Sequence, residues 1–325
     1  MPKRLLPDPL VLLLVGVVAL ATLLPARGTA ADAMSWLSTA LITLLFFFQG
    51  AKLPPDAVLS AAMHWRLHLV ILSSTFVLFP LLALSASGIA GDIMPPNLWL
   101  GILYLAALPS TVQSSIAFTS VARGNVPAAI TAASASQVLG VFITPPLTSL
   151  LAGAHGNGPP IGSTIQAILL QILLPFIVGQ LARRWIGGWV QRHKRLVGIS
   201  DRGAILAAVY AAFSAAVLEG IWIRVPPQTL FSLFWVCLFL LAAMLLCTWS
   251  AARLLGFNRP DRITILFCGT KKSLVQGIPM ARILFGGPDG GLIILPLMLF
   301  HQMQLMFCAW ISGHYAKVAE GDAVS

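Results

Sequence analysis

The sequence predicts an all-α integral membrane protein with ten transmembrane helices. Of its 325 residues, 58% are hydrophobic and only 9% are charged, whereas roughly 25% of the residues in a soluble domain are charged. Uncharged apolar runs occur ten times, and most exceed the roughly 17 residues that a helix needs to cross a bilayer. These observations exclude an ordinary soluble protein and leave no room for a sizeable domain outside the membrane.

The ten runs are separated by turn residues or charges. They lie near residues 9–24, 34–51, 66–87, 97–122, 126–152, 163–182, 203–222, 228–252, 263–285 and 291–316. Because Lys3 and Arg4 precede the first run, it resembles a secretory signal peptide. Its removal would leave nine spans, which could not form two matching halves, so we expect the first helix to be retained.

The basic residues predict how the chain is oriented. With the amino terminus in the cytoplasm, fifteen of the twenty Lys and Arg residues lie on the inner side and three on the outer side, while Lys271 and Lys272 fall inside the ninth span. Such an excess of basic residues is typical of cytoplasmic loops. We therefore expect both termini in the cytoplasm, in a bacterial inner membrane or a plasma membrane. The net charge of +10 is then explained by contact with anionic lipids on the cytoplasmic side, and no nucleic-acid partner is expected.

The span count predicts two inverted repeats of five helices each. The first comprises residues 1–152 and the second residues 163–325, and the Gly- and Pro-rich segment 153–162 connects them. Because five is odd, the second half enters the membrane with the opposite orientation, as in many secondary transporters.

The fourth and ninth spans carry helix-breaking residues at corresponding places in the two halves. They are Pro109, Gly124 and Asn125 in the fourth span, and Gly269, Gly277 and Pro279 in the ninth. Proline removes a backbone donor and frees a carbonyl, which a lipid-facing helix cannot satisfy. We expect both helices to be discontinuous, with a substrate or ion site at the breaks; the alternative is a pair of ordinary kinks satisfied by Ser and Thr.

Several polar residues converge at one depth. Lys271 lies roughly 13 Å from the inner end of its span by helical rise, and comparable depths place polar residues on five helices in one layer. The candidate substrate- or ion-binding residues of this layer are Thr75, Ser114, Ser115, Gln137, Lys271, Lys272, Ser273, His301 and Gln302. A charged Lys at a helix centre costs about 2.5–3.5 kcal/mol, and no carboxylate is expected at that depth. The two lysines must therefore face oxygen ligands, water or an anion, or else extend to the inner surface; the other residues could equally be interhelical hydrogen-bonding groups.

Three stretches resemble one known family. They are residues 109–125 (PSTVQSSIAFTSVARGN), residues 267–279 (FCGTKKSLVQGIP) and Phe300-His301-Gln302. They are similar to the bile acid:sodium symporter superfamily, specifically its SBF-like branch, which includes the vertebrate seventh member of that carrier family. The resemblance implies a panel domain (spans 1, 2, 6 and 7) and a core domain (spans 3, 4, 5, 8, 9 and 10), with helices 4 and 9 crossing where they unwind.

The resemblance also implies positions for the family's sodium ligands. Ser114 and Ser115 match a Ser-Asn pair, and Thr75 stands where a glutamine is expected. The family's glutamate and glutamine of the ninth span align with Phe267 and Lys271, and Ala129 and Ala133 replace hydroxyl ligands. Since cations such as sodium need oxygen ligands, we hypothesise that the Lys271 ammonium takes the role of the bound cation.

The leading functional prediction is a secondary transporter that moves a small organic anion by alternating access. Either sodium or a proton could be the coupling ion, and proton coupling through Lys271 and His301 or facilitated transport is favoured over sodium. The alternative is a membrane regulatory or scaffold protein that kept the fold and lost transport. No enzyme, metal site or cofactor is predicted, because the sequence shows no carboxylate pair or Cys/His cluster at one depth, and no oligomeric state follows from the sequence.

Overall fold

The computed structural model describes residues 9–52, 64–153, 169–220, 223, 225–285 and 289–321. Every regular element in these ranges is helical, as expected for an all-α integral membrane protein. The predicted connecting segment lies outside the described residues from residue 154 onward. The division into two sequence halves stays a prediction.

Thirteen α-helices are described, with π-helical turns at Ser74–Leu78 and Leu169–Leu173 and a 3₁₀ turn at Gly91–Ile93. The helices are α1 Pro9–Leu23, α2 Thr29–Lys52, α3 Trp65–Ser73, α4 Phe79–Ala90, α5 Pro96–Ala107, α6 Gln113–Val121, α7 Val126–Gly153, α8 Leu174–Arg192, α9 Lys194–Leu218, α10 Pro227–Leu254, α11 Arg259–Thr270, α12 Leu274–Leu284 and α13 Gly290–Gly321.

Seven helical stretches of the described chain are long and apolar enough to cross a membrane. They are Thr29–Lys52, Trp65–Ile93, Val126–Gly153, Leu169–Arg192, Lys194–Leu218, Pro227–Leu254 and Gly290–Lys317. Three of the ten predicted spans are therefore not single long helices. The first has 15 described helical residues, and the fourth and ninth are each divided into two short helices because the backbone leaves the helical conformation within them.

The chain divides into two compact units. The first contains Met1–Leu53, His155–Leu230 and Val275–Leu295. In it, α2 packs against α8 and α9, and Lys52 Nζ forms an ion pair with Asp201 Oδ2 at 2.6 Å. Glycines allow α2 and α8 to approach closely: a Cβ on Gly50 would collide with the Phe176 carbonyl, and one on Gly179 with the Phe47 carbonyl. Small residues are what such close packing of membrane helices requires.

The second unit contains Pro54–Ala154, Phe231–Leu274 and Pro296–Ser325. In it, α11 packs against α3, α6 and α7, and its core includes Ile71, Ala129 and Ile265. Large apolar side chains such as Leu150 and Trp310 remain exposed, as expected for helices whose outer faces contact lipid. All polar residues predicted to form the central layer lie in this unit.

Candidate functional site

The first helix break lies between α5 and α6. Leu108 has an extended backbone, with φ −72° and ψ 151°, and residues 108–112 are not helical. Pro109 has no N–H to continue the helix. In the last turn of α5, the Leu105 carbonyl accepts from the Leu108 N–H at 3.2 Å, and the carbonyls of Ala106 and Ala107 need partners from outside the helix.

Helix α7 stabilises this break from one face. Thr144 Oγ1 donates a hydrogen bond to the Ala107 carbonyl at 2.9 Å, and Ser136 Oγ accepts one from the Ser110 N–H at 3.0 Å. Between them, Gly140 leaves space that the Pro109 ring occupies. The three α7 residues are four apart and so lie on the same side of the helix. This set was not predicted. Its spacing, Ser-x₃-Gly-x₃-Thr directly before Pro145 and Pro146, is nevertheless a usable sequence signal.

The second break lies between α11 and α12 at residues 271–273. Lys271 is extended, with φ −84° and ψ 151°. The N–H of Ser273 donates a hydrogen bond to the carbonyl of Pro109 at 2.8 Å. The two breaks thus contact each other directly through their backbones.

Lys272 is fully buried and its ammonium is surrounded by backbone oxygens. Its Nζ donates to the carbonyls of Thr75 at 2.8 Å, Ala106 at 2.6 Å and Leu108 at 2.7 Å. Those bonds use all three donors of an ammonium group. The ring of Phe79 lies 4.5 Å from Nζ, within the range of a cation–π contact.

Gln304 fixes the backbone of Lys272. Its Oε1 accepts from the Lys272 N–H at 2.9 Å, and its Nε2 donates to the Lys272 carbonyl at 2.9 Å. The same Nε2 lies 2.8 Å from Nδ1 of His301, so the predicted His301 reaches the lysine through Gln304. Gln304 was not among the predicted residues. The predicted Gln302 has a buried Oε1 with no hydrogen-bond partner among the described residues.

Lys271 is also fully buried, but its surroundings are different. Its Nζ has no hydrogen-bond partner in the described part of the chain. It lies 3.7 Å from the centroid of the Phe118 ring and 5.6 Å from that of Phe267. Phe118 was not predicted, because an aromatic residue in an apolar span carries no distinguishing sequence signal. The hypothesis that Lys271 takes the place of a bound cation does not match these contacts, since carbonyl oxygens surround Lys272 instead.

The remaining polar candidates make weaker or local contacts. Thr75 Oγ1 donates to Ile71 within its own helix at 2.8 Å, so Thr75 contributes its carbonyl rather than its side chain to the lysine. Gln137 Nε2 lies 3.4 Å from Ser273 Oγ. Ser115 Oγ donates to the Phe267 carbonyl at 3.4 Å, while Ser114 Oγ is buried and has no hydrogen-bond partner among the described residues.

Only one of the six predicted crossover residues, Pro109, lies in a break. Gly269 lies inside α11, and Gly277 and Pro279 lie inside α12. A proline at the sixth position of a helix still leaves most of its bonds intact, and the non-helical backbone begins at Lys271.

Gly124 and Asn125 lie in the turn that leads into α7, away from both breaks. There Asn125 Nδ2 donates to Asp261 Oδ1 at 2.8 Å, and Asn125 Oδ1 accepts from the Ala128 N–H at 3.1 Å. Their part in the fold is therefore to cap α7 and connect it to the start of α11.

The first compact unit contains a cavity of about 280 Å³ beside Arg282. The guanidinium donates to Ser35 Oγ at 3.1 Å. Ser214, which is buried, also lines the cavity, and its Oγ has no hydrogen-bond partner among the described residues. Asp32 lies on the same wall. Arg282 was not among the site residues predicted from the sequence.

These features, buried ammonium groups and two broken helices in an all-helical membrane protein, are those of a transporter. Residues 8–317 match the model of the SBF-like CPA transporter family, and the chain belongs to this family. The predicted resemblance to the SBF-like branch is thereby confirmed. Its members are transporters and not enzymes.

Relatives are found in bacteria and vertebrates. An uncharacterized protein of Pseudomonas aeruginosa is 52% identical over 99% of this chain and 97% of its own length. The Escherichia coli protein named "Putative symporter YfeH" is 48% identical over 96% of this chain and 94% of its own. Sodium/bile acid cotransporter 7 of Xenopus tropicalis is 30% identical over 82% of this chain and 78% of its own.

Proposed function

We propose that the protein is a secondary transporter of a small organic anion. The main support for an anionic substrate is the environment of Lys271. Its ammonium is fully buried, and among the described residues it has neither a hydrogen-bond acceptor nor a carboxylate partner. Because an uncompensated charge in a membrane is costly, a carboxylate or sulfonate that reached Lys271 would gain a strong charge-assisted interaction.

The helix ends support the same substrate class. Helices α6 and α12 begin directly after the two breaks, at Gln113 and Leu274. A helix N-terminus carries a partial positive charge, and discontinuous helices in transporters direct such ends toward anionic groups. Transport would proceed by alternating access, in which helices of a core move against those of a panel within an inverted-repeat fold.

A second contact for the anion is proposed at the Arg282 cavity. The guanidinium of Arg282 and the unpaired hydroxyl of Ser214 line it. Arginine binds carboxylates through two parallel hydrogen bonds. The carboxylate of Asp32 lines the cavity as well, but no ion pair joins it to Arg282. The guanidinium and the free hydroxyl are therefore left to bind the acidic group of an otherwise apolar molecule.

Sodium is not proposed as the coupling ion. The position that the family resemblance assigns to a ligand glutamate is Phe267, which is buried among apolar residues of α6 and α13. Coupling to a proton through Lys271 and His301, or transport without coupling, is proposed in its place; His301 contacts Gln304, which binds the backbone of the neighbouring Lys272.

Uptake into proteoliposomes tests the proposal. Labelled taurocholate, a sulfated steroid and a short monocarboxylate serve as probes, each assayed with sodium, with choline in its place, and with an imposed pH gradient. We expect uptake of at least one probe that persists without sodium, and a loss of about tenfold or more in Lys271→Ala, equivalent to 1.4 kcal/mol. Lys317→Ala, at an exposed lysine, is the control for loss of one positive charge and should transport normally.

Two results would contradict the proposal. If uptake depended on sodium and survived Lys271→Ala, the assignment of Lys271 would be wrong. If the folded wild-type protein moved none of the probes and its Lys271 variants kept all protein partners, the alternative of a non-transporting scaffold would be favoured.

A further inference from the structure

We infer that the carbonyl oxygens of Thr75, Ala106 and Leu108 form a binding site for a monovalent cation, which the protein fills with the ammonium of its own Lys272. We call these three oxygens the carbonyl site. Their distances from Nζ are 2.6–2.8 Å, which is at or slightly below the usual length of about 2.7–2.9 Å for a charge-assisted hydrogen bond.

The carbonyls are available because of how their helices are built. Thr75 belongs to the π-helical turn Ser74–Leu78, which interrupts the regular helix hydrogen-bond pattern, as such turns often do at functional sites. Ala106 lies in the last turn of α5 and Leu108 follows the helix end. Carbonyls at a helix end have no intrahelical donor. Three oxygens that the secondary structure leaves unpaired thus converge on one point.

On the side of α5, the carbonyl site is fixed by bonds that do not involve the Lys272 side chain. Thr144 donates a hydrogen bond to the neighbouring Ala107 carbonyl, and Ser136 accepts one from the Ser110 N–H. The Pro109 carbonyl accepts a hydrogen bond from the Ser273 N–H. These bonds fix the break on both sides of Leu108. Shortening the Lys272 side chain should therefore leave the three oxygens in place and expose an empty position between them.

The chemistry of the site selects the class of cation. All three oxygens are neutral, and none of the described carboxylates accepts from Lys272, so a divalent ion would lack the charged ligands that it normally binds. Spacings of 2.6–2.8 Å also lie at or above the upper end of the roughly 2.3–2.6 Å range of calcium–oxygen bonds. The Phe79 ring, 4.5 Å from Nζ, adds a surface that favours a weakly hydrated organic or ammonium-type cation. Ammonium, methylammonium and potassium are the expected ligands of the vacated site.

Cation-dependent stability of Lys272→Ala tests this inference without any transport measurement. The purified variant is unfolded thermally in detergent with ammonium, methylammonium, potassium, sodium or choline chloride at one ionic strength. We expect the Tm of Lys272→Ala to be lower than that of the wild type. It should rise by about 2 °C or more with ammonium or methylammonium relative to choline, because a ligand that binds the folded state raises its stability. The wild type should not respond.

Lys272→Met is the matched control, because its side chain is of similar length and still fills the site without a charge. It should be destabilised and should show no cation response. If Lys272→Ala responded to no cation more than the wild type and Lys272→Met do, the inference would be overturned, and Lys272 would be only a structural anchor.

A second measurement applies if Lys272→Ala does not fold in ordinary buffer. Membranes are then extracted in methylammonium chloride or in choline chloride, and the yield of monodisperse protein is compared by size-exclusion chromatography. Recovery only in methylammonium supports the inference, and equal failure in both contradicts it. Neither readout involves an organic anion. The cation-site inference can therefore fail while the proposed transport function stands, and the transport function can fail while the cation-site inference stands.

Discussion

The N–H of Ser273 donates a hydrogen bond to the carbonyl of Pro109 at 2.8 Å. The donor lies in the break between α11 and α12, and the acceptor lies in the break between α5 and α6. Two segments that are far apart in the sequence therefore satisfy each other where neither is helical. Within the second compact unit, this bond and the side-chain bonds from Thr144, Ser136, Lys272 and Gln304 allow two broken helices to persist in an apolar environment that penalises every unpaired backbone group.

Thr144→Val should destabilise the protein by about 1–3 kcal/mol, the usual cost of leaving a buried carbonyl without its donor. The Oγ1 of Thr144 is the group that donates to the Ala107 carbonyl. Thr148→Val is the matched control one turn further along α7, since Thr148 is buried but its Oγ1 has no hydrogen-bond partner among the described residues. Thermal unfolding of both variants should show a loss only for Thr144; equal losses would mean that the hydroxyl bond contributes nothing.

Gly50→Ala and Gly179→Ala should each destabilise the first compact unit. A methyl group at either position collides with a backbone carbonyl of the partner helix, which cannot move aside as a side chain can, and overpacking typically costs about 1–3 kcal/mol or more. Gly188→Ala, on the same helix as Gly179, meets nothing within 4 Å and should be neutral or stabilising by about 0.5–1 kcal/mol. The yield and Tm of the three purified variants provide the comparison, and a stable Gly179→Ala would contradict the close approach of α2 and α8.

The sequence was informative about the break at Pro109 and the burial of the lysines. The first follows from the missing N–H of proline and the second from hydropathy and helix rise. The second break was expected at Gly269, Gly277 and Pro279, which all lie inside helices. The sequence could not distinguish the roles of Lys271 and Lys272, because that depends on backbone conformation. Lys271 is extended, and successive side chains of an extended chain point to opposite sides. The Lys271 ammonium therefore contacts the rings of Phe118 and Phe267, whereas the Lys272 ammonium contacts carbonyl oxygens.

The ligands of Lys272 could not have been predicted from side-chain chemistry. Every residue carries a carbonyl, and only the π-helical turn at Thr75 and the end of α5 make particular ones available. Thr75 was predicted to bind substrate or ion as a polar residue, but its hydroxyl donates a hydrogen bond to the Ile71 carbonyl within its own helix. Gln304 was missed because it is one of two glutamines in the same span, and which of them faces the break depends on helix rotation.

Asn125→Ala should destabilise the second compact unit by about 1–3 kcal/mol. It removes the cap of α7, an acceptor for the Ala128 N–H, and the donor to Asp261 Oδ1; loss of a cap alone costs about 0.5–2 kcal/mol. Asn125→Asp separates the two contributions, because it keeps the cap acceptor but places a second carboxylate against Asp261. We expect it to be at least as harmful as alanine near neutral pH, since like charges at this distance repel. Denaturation midpoints of both variants provide the measurement, and a harmless Asn125→Asp would contradict the bond to Asp261.

Arg282→Gln should weaken the transport of organic anions mainly through KM. Glutamine can still donate a hydrogen bond to Ser35 but carries no charge for an acidic group in the cavity, so we expect KM to rise about tenfold, equivalent to 1.4 kcal/mol, with kcat changed less. Arg282→Lys keeps the charge without the paired donors. Its KM should lie between those of the wild type and Arg282→Gln. Arg195→Gln, at an exposed arginine of the same compact unit, is the control for loss of one positive charge. Initial uptake rates in proteoliposomes across a range of anion concentrations separate KM from kcat; an unchanged KM in Arg282→Gln would remove the cavity from the substrate path.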